Sequence, residues 1–314
     1  MNTTDQFEKD VIEGLSLPQK KISSKYFYDE IGDKIFQEIM QLDEYYLPKA
    51  ELEILQNESE KVASYLPEKS FDMLELGAGD GSKTVHFLKQ MVDLGKEFRY
   101  LPFDISEEVL STNTRQIKCH MPSLPIQPVS GDYFKSLPRL DHTSPRVVMF
   151  MGSNIGNYKN ENAIAFLRFL HQNMQPNDIL LIGYDLRKNP KVILRAYNDS
   201  KGTTRRFNLN LLERINRELG GDIDVSAFDH YPYYDPIAGI TYSFLVSLKP
   251  QSIKIRDRVF HLKKNELIHT EVSQKYSLDE MSGMMKQAGF TPIQHFMDSK
   301  EYYAVSLGIV GITD

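Results

Sequence analysis

Five short apolar runs alternate with amphipathic segments between residues 71 and 185, and this alternation is the strongest constraint on the fold. The runs are FDMLEL (71–76), FRYLPFD (98–104), LPIQPVS (124–130), RVVMFMG (146–152) and DILLIGYD (178–185). Helical patterns lie between runs at 82–94, 106–120 and 160–174. Strands that alternate with helices predict an α/β domain whose mostly parallel sheet is covered on both faces.

A second pattern interrupts this domain near Pro190. A helical stretch ends at Gly220 and Gly221, and turn-separated apolar runs that predict consecutive antiparallel strands follow at 225–236, 240–248, 254–262 and 266–273. Residues 277–290 predict a helix, and 291–310 predict two strands. Further helical patterns lie at about 33–42 and 49–65. We therefore predict two domains: residues 51–189 with 277–314 form the α/β domain, and residues 1–50 with 190–276 form an inserted α+β domain.

Charge and composition narrow the function classes. The 37 basic and 43 acidic residues give a net charge of −6, which predicts no nucleic-acid partner. No apolar stretch approaches the roughly 18 residues of a membrane span, and the polar N-terminus does not resemble a signal peptide. The single cysteine, Cys119, excludes an internal disulfide, and we expect its thiol to be buried. These features predict a cytoplasmic protein with no membrane association.

The glycine-rich segment GAGDGSK (77–83) follows the first apolar run directly. Its third glycine comes one residue too early for the dinucleotide fingerprint G-x-G-x-x-G, and the P-loop spacing also fails. The form E-L-G-x-G-x-G resembles the first motif of class I S-adenosylmethionine-dependent methyltransferases, which have a Rossmann-like fold. In that superfamily the loop wraps the methionine and ribose portion of a cofactor without phosphate. A glycine turn with no ligand is the alternative.

Two acids follow the next strands at matching positions. Asp104 ends the second run, where a carboxylate can accept hydrogen bonds from ribose hydroxyls. Asp132 follows the third run, where the superfamily often places an acid beside the adenine. Surface or capping roles are the alternatives for both. Lys83 either contacts the cofactor carboxylate or is simply solvated.

Longer segments resemble one family within this superfamily, the histidine-specific Nα-methyltransferases of ergothioneine biosynthesis. The segments are KYFYDEIGDKIFQEIMQLDEYYLPKAELEIL (25–55), MGSNIGNY (151–158), RAYND (195–199) and HTEVSQKYS (269–277). The resemblance implies S-adenosyl-L-methionine as the cofactor. It also implies methylation of the α-amino group of L-histidine to its betaine, with no obligate protein partner.

The same resemblance implies the site residues. The cofactor would be bound by Gly77, Gly79, Lys83, Asp104, Asp132 and Tyr133. The amino acid would be bound by Tyr28, Tyr45, Asn157, Tyr197, Glu271 and Ser273. Asn157 and Tyr197 would hold the α-carboxylate, and Tyr45 would position the amine. Glu271 and Ser273, with Tyr28, would contact the imidazole.

Chemistry supports the last assignment independently of the resemblance. Glu271 and Ser273 are two residues apart on a predicted strand, which places both side chains on one face. A carboxylate can accept from one nitrogen of a neutral imidazole, and a hydroxyl can donate to the other. A solvated strand face is the alternative reading. The eight histidines show no H-x-x-x-H or H-x-H spacing, so we predict no metal.

One stretch departs from the family pattern. Where the family typically has R-I-E-M, this chain has Ile240-Thr241-Tyr242-Ser243. The methionine position lies near the substrate pocket in the family, so the pocket of this protein can differ in shape. Two alternatives therefore stay open: the same reaction on another amino acid, tryptophan-like or tyrosine-like, and a non-catalytic nucleoside-binding protein.

Overall fold

The computed structural model describes residues 3–311. The chain divides into two compact units: a smaller unit of residues 1–46 and 188–273, and a larger unit of residues 47–187 and 274–314.

The helices and strands of the described residues are as follows. The α-helices are α1 (Thr3–Ser16), α2 (Glu30–Met40), α3 (Leu47–Asn57), α4 (Ser59–Tyr65), α5 (Thr84–Asp93), α6 (Glu107–His120), α7 (Tyr133–Ser136), α8 (Asn160–Gln172), α9 (Pro190–Tyr197), α10 (Thr203–Leu219) and α11 (Leu278–Ala288). The strands are β1 (Phe71–Leu76), β2 (Phe98–Asp104), β3 (Val129–Ser130), β4 (Arg146–Phe150), β5 (Ile179–Asp185), β6 (Phe228–Asp235), β7 (Ile240–Ser247), β8 (Gln251–Ile255), β9 (Arg258–Leu262), β10 (Leu267–Gln274), β11 (Phe290–Met297) and β12 (Tyr303–Val310).

A seven-stranded sheet forms the centre of the larger unit, in the order β11-β12-β5-β4-β1-β2-β3. The pairs from β5 to β3 are parallel, while β12 runs antiparallel to both β5 and β11. The chain leaves β1 on one side for β2 and β3, and it returns on the other side for β4 and β5. Ligands of open α/β sheets bind at such a reversal, outside the carboxyl ends of the strands.

Both faces of this sheet are buried, as the continuous apolar runs predict. Met73 and Val147 belong to the core on one face, together with Phe87 of α5. Leu74 and Val148, their neighbours in sequence, belong to the core on the other face. Successive side chains of a strand point to opposite faces, so each run contributes to both cores. This confirms the predicted α/β class.

The smaller unit has a three-stranded sheet in the order β10-β7-β6 and a two-stranded hairpin, β8-β9. Along β6 and β7 buried and more exposed residues alternate, which is typical of a sheet with one face on a core. The core combines Phe228 and Leu245 of this sheet with Leu211 and Ile215 of α10 and Ile39 of α2.

Some local expectations were wrong. The third run forms a strand only at Val129–Ser130, because Pro125 and Pro128 lack the N–H that a ladder requires. The run 254–262 is not one strand: the chain turns at Arg256, whose φ is +52°, between β8 and β9. Residues 49–65 form two helices rather than one. Cys119 is exposed, not buried, because it lies on the outer side of α6.

Among the described residues, no helix combines the length and the apolar character that crossing a bilayer requires.

Candidate active site

The glycine loop of the larger unit begins where β1 ends. Gly77, Gly79 and Gly81 all have left-handed backbones, with φ of +72°, +56° and +77°. The amides of Gly77 and Ala78 both donate to the carbonyl of Phe103 on β2, at 2.9 Å. Glycine adopts this conformation without the steric cost that a Cβ would add, so the sequence G-A-G-D-G determines the tight turn.

Asp104 lies at the end of β2, beside this loop. Its carboxylate accepts the amide of Gly79 at 3.1 Å through one oxygen and the amide of Ser106 at 3.1 Å through the other. Ser106 in turn caps α6 by accepting the amide of Val109. Asp104 therefore connects the glycine loop to the start of α6. It is only partly buried.

Asn113 of α6 supports the loop from below. Its side chain is fully buried, and Nδ2 donates to the carbonyl of Gly79 at 3.1 Å. A Cβ built on Gly81 would lie 2.9 Å from the same Nδ2. Asn113 occupies the position between Leu110 and Ile117 in the apolar spacing of α6. A polar residue in that register is the sequence signal by which its role could have been found.

A buried carboxyl group also lies beneath the loop. Glu75 of β1 accepts hydrogen bonds from Thr84 at 2.6 Å and from the hydroxyl of Tyr100. Burial raises the pKa of Glu75 to about 7, although both hydrogen bonds act in the opposite direction. Glu75 and Thr84 thus connect β1 to the first residue of α5 across the loop.

Lys83 pairs with a second buried acid, Glu51 of α3. Glu51 also accepts the amide of Gly152 and the hydroxyl of Tyr303, each at 2.6 Å. Burial alone would raise the pKa of Glu51, but Lys83 and these donors outweigh it and hold the pKa below its ordinary value. Through Glu51, Lys83 therefore connects the glycine loop to the segment after β4. Whether it also contacts a cofactor carboxylate stays a prediction.

The segment after β4 carries the sequence G-S-N-I-G-N, residues 152–157. Ser153 has a left-handed backbone, and its hydroxyl accepts the amide of Asp185 at 3.0 Å. The side chain of Asn154 approaches the glycine loop, 3.5 Å from where a Cβ of Gly77 would lie. Asn157 is exposed at the end of this turn. The backbone strain at Ser153 is thus fixed next to the carboxyl end of the sheet.

Asp132 and Tyr133 follow β3, at the next strand end. Asp132 caps the short helix α7 by accepting the amide of Phe134 at 3.0 Å. The hydroxyl of Tyr133 lies 2.8 Å from that of Tyr158. Burial raises the pKa of the Tyr133 hydroxyl, and the hydrogen bond to Tyr158 raises it further. The capping role predicted as an alternative for Asp132 is present, and contact with adenine stays a prediction.

These residues fit a nucleoside cofactor without phosphate. A Cβ on Gly79 would meet no atom within 4 Å, so a ligand can approach this part of the backbone closely. Asp104 places a carboxylate at the strand end, and a carboxylate is an acceptor suited to ribose hydroxyls; contact with a ribose stays a prediction. The positive charge of Lys83 is paired with Glu51. A phosphate group would need that charge for its own binding.

The smaller unit holds a group of aromatic side chains among the predicted substrate residues. The ring of Tyr28 packs edge-on against Phe36 and Phe207, with centroids 5.4 and 5.5 Å away. Tyr45 packs edge-on against Phe36 at 6.3 Å and Tyr197 at 6.5 Å. The structure therefore brings Tyr28, Tyr45 and Tyr197 into one cluster.

The surroundings of Tyr28 raise the pKa of its hydroxyl. Tyr28 is 46% exposed, and desolvation raises the pKa of its hydroxyl. The negative charge of Glu271 raises this pKa further.

Glu271 and Ser273 lie on β10, as the Glu-x-Ser spacing predicts. The buried Ser273 accepts a hydrogen bond from Tyr197 at 2.8 Å. Glu271 accepts one from Ser243 of β7 at 3.3 Å. Tyr197 ends α9, and Asp199 fixes the following turn by accepting two amides of α10, those of Thr203 and Thr204. Sequence reasoning identified Ser243 only as a departure from the family and missed its contact with Glu271.

Sheet order, glycine loop and Asp104 together define a class I methyltransferase. The family described as "Histidine-specific methyltransferase, SAM-dependent" matches residues 7–309. The chain belongs to this family, and its cofactor is S-adenosyl-L-methionine.

Characterised relatives are similar in sequence to this chain over nearly the full length of both. The histidine N-alpha-methyltransferase of Mycolicibacterium smegmatis is 31% identical, over 98% of this chain and 96% of the relative. That of Mycobacterium tuberculosis is 34% identical, over 95% and 93%. An L-tryptophan methyltransferase of Psilocybe serbica is 24% identical, over 97% and 93%.

Proposed function

We propose that the protein transfers methyl groups from S-adenosyl-L-methionine to the α-amino group of L-histidine, in successive steps that give the trimethylated betaine. The observation that carries the proposal is the pair Glu271 and Ser273 on β10, in one cluster with Tyr28 and Tyr197. A member of the histidine-specific family with this pair has an acceptor and a donor for the two nitrogens of an imidazole.

The bound cofactor supplies an electrophilic methyl group on a sulfonium. The protein's residues then need to hold the amino acid in line and keep its amine deprotonated. Positioning of this kind contributes roughly 7 to 11 kcal/mol in favourable systems. We assign it to Tyr45, with the imidazole held by Glu271 and Ser273 and the α-carboxylate by Asn157. Tyr197 donates to Ser273 and orients that serine.

Aromatic rings can stabilise the positive charge of the trimethylated product. Tyr28, Phe36 and Tyr45 present ring faces and edges within one cluster. A trimethylammonium group near an aromatic face gains about 0.5 to 2 kcal/mol from cation–π attraction. The cluster would therefore tolerate the cation that accumulates as methyl groups are added, without a carboxylate at the amine.

Mass spectrometry of reactions with histidine, tryptophan and tyrosine tests the proposal. We expect histidine to gain up to three methyl groups while S-adenosylmethionine is consumed. Methylation of tryptophan or tyrosine without methylation of histidine would support the second candidate, a related amino-acid methyltransferase. The small Ser243 and the similarity to an L-tryptophan methyltransferase favour that candidate over others. No consumption of cofactor with any amino acid would contradict both.

Histamine tests the α-carboxylate assignment. It keeps the imidazole but lacks the carboxylate, so we expect it to be a poor substrate. Tyr197→Phe and Asn157→Ala, each examined alone, should raise the KM for histidine. Efficient turnover of histamine would contradict the assignment of Asn157 while leaving the imidazole contacts, including the Tyr197–Ser273 pair, intact.

A further inference from the structure

Ser243 of β7 is 1% exposed. Its hydroxyl donates to Oε2 of Glu271 at 3.3 Å. We propose that Ser243 is a positioning residue: it orients the Glu271 carboxylate and so sets the affinity for the substrate's imidazole. This inference rests on the proposed function, because it concerns the same substrate.

The backbone around Ser243 is fixed on two sides. Its carbonyl accepts the hydroxyl of Thr270 on β10 at 3.0 Å. On the other side it pairs with Pro232 of β6 in the antiparallel ladder. Thr270 immediately precedes Glu271, so the two strands are joined at the residue before the acid. A serine held in this way presents its hydroxyl from a rigid position.

A buried hydroxyl requires a hydrogen-bond partner, and here the partner is a carboxylate oxygen. Glutamate has several rotatable bonds, and its orientation is lost easily unless a second group fixes it. Ser243 therefore presents a donor to the acid that we assign to the imidazole.

The direction of the hydrogen bonds agrees with a neutral imidazole as ligand. Ser243 donates to Glu271, which as a carboxylate only accepts and can also accept from a ring N–H. Tyr197 donates to Ser273, and a serine hydroxyl can accept and donate at the same time. The two pairs thus offer one acceptor and one donor. Indole has an N–H but no ring acceptor, so it would match only half of this arrangement.

Kinetics of variants of the full-length protein test this role. Ser243→Ala should raise the KM for histidine about five- to tenfold, with kcat changed less than about twofold. Ser243→Thr, which keeps the hydroxyl, should restore most of the affinity. In a Glu271→Ala background the Ser243→Ala change should have no further effect, because the partner is gone. S-adenosylmethionine affinity, measured by calorimetry, should stay the same in Ser243→Ala and Ser243→Thr.

Ser247→Ala is the matched control. Ser247 is also fully buried on β7, but its hydroxyl donates to the carbonyl of Lys249 at 2.8 Å. It should leave the KM for histidine unchanged. An unchanged KM in Ser243→Ala, or an equal rise with and without Glu271, would overturn the role of Ser243 alone. No methylation of histidine by the wild type would instead overturn the proposed function, and this inference with it.

Discussion

The carboxylate of Asp104 holds the glycine loop by accepting the amide of Gly79 at 3.1 Å. We expect Asp104→Ala to weaken binding of S-adenosylmethionine by at least about 1.5 kcal/mol, roughly tenfold, because hydrogen bonds to a charged group would be lost. Calorimetry measures this directly. Glu108→Ala removes an exposed acid from the first turn of α6 and serves as the control. Equal affinity in wild type and Asp104→Ala would exclude Asp104 from the site.

His230 of β6 is 8% exposed, and burial lowers its pKa to about 4. The unfolded chain protonates this histidine near pH 6.5, so its contribution to stability falls as the pH drops from about 6.5 to 4. Asp229, Arg205 and Asp199 are the charged groups that act on it. We expect His230→Phe to remove roughly 1 to 2 kcal/mol of the loss between pH 6.5 and 5. Thermal unfolding at several pH values would measure this difference. An identical dependence of stability on pH in His230→Phe and the wild type would contradict the prediction.

At the scale of elements, the turn between β1 and α5 combines backbone strain with close packing. Gly81→Ala and Gly95→Ala both place a Cβ on a left-handed backbone, at φ of +77° and +75°. Each should cost about 1 to 2 kcal/mol of stability. Gly81→Ala should also weaken cofactor binding, because its Cβ would displace Asn113 from the loop, whereas a Cβ at Gly95 meets no atom within 4 Å.

Two measurements separate these effects. Chemical denaturation gives the stability of both variants, and calorimetry gives their affinity for S-adenosylmethionine. The same loss of affinity in Gly95→Ala, which lies at the far end of α5, would show that strain alone is responsible. Retained affinity in Gly81→Ala would show that Asn113 does not shape the loop.

At the scale of the whole molecule, Glu75 of the larger unit and His230 of the smaller unit contribute to the pH dependence of stability in opposite directions. Glu75 has its pKa raised to about 7 in the folded state. The unfolded carboxyl ionises first as pH rises from about 4.5, so this group lowers stability progressively up to about pH 7. The contribution of His230 to stability instead increases as the pH rises from about 4 to 6.5.

Glu75→Gln should therefore stabilise the protein at pH 8, by up to about 3 kcal/mol, and have little effect of this kind at pH 4.5. The amide keeps one acceptor oxygen, and its NH2 group can donate to the other hydroxyl of the Thr84 and Tyr100 pair, which then accepts instead of donating. Melting temperatures across this range provide the test. If the melting temperature of Glu75→Gln differed from that of the wild type by the same amount at every pH, the raised pKa would be contradicted.

The sequence by itself determined the elements whose causes are local. Alternating runs predicted the parallel sheet, and the three glycines predicted the turn after β1. Asp104 could be placed beside the loop because the carboxyl ends of parallel strands meet at one edge. The family, and with it the cofactor, followed from motifs that are continuous in the chain.

Only the tertiary structure decided which polar groups meet. Lys83 pairs with Glu51, 32 residues away, and Ser243 contacts Glu271, 28 residues away. Tyr197 and Ser273, predicted to hold different parts of the substrate, are hydrogen-bonded to each other across 76 residues. Such pairs depend on strand register and on how helices pack against a sheet, which no local pattern encodes. A buried donor must find an acceptor, but only the assembled fold determines which one lies within 3 Å.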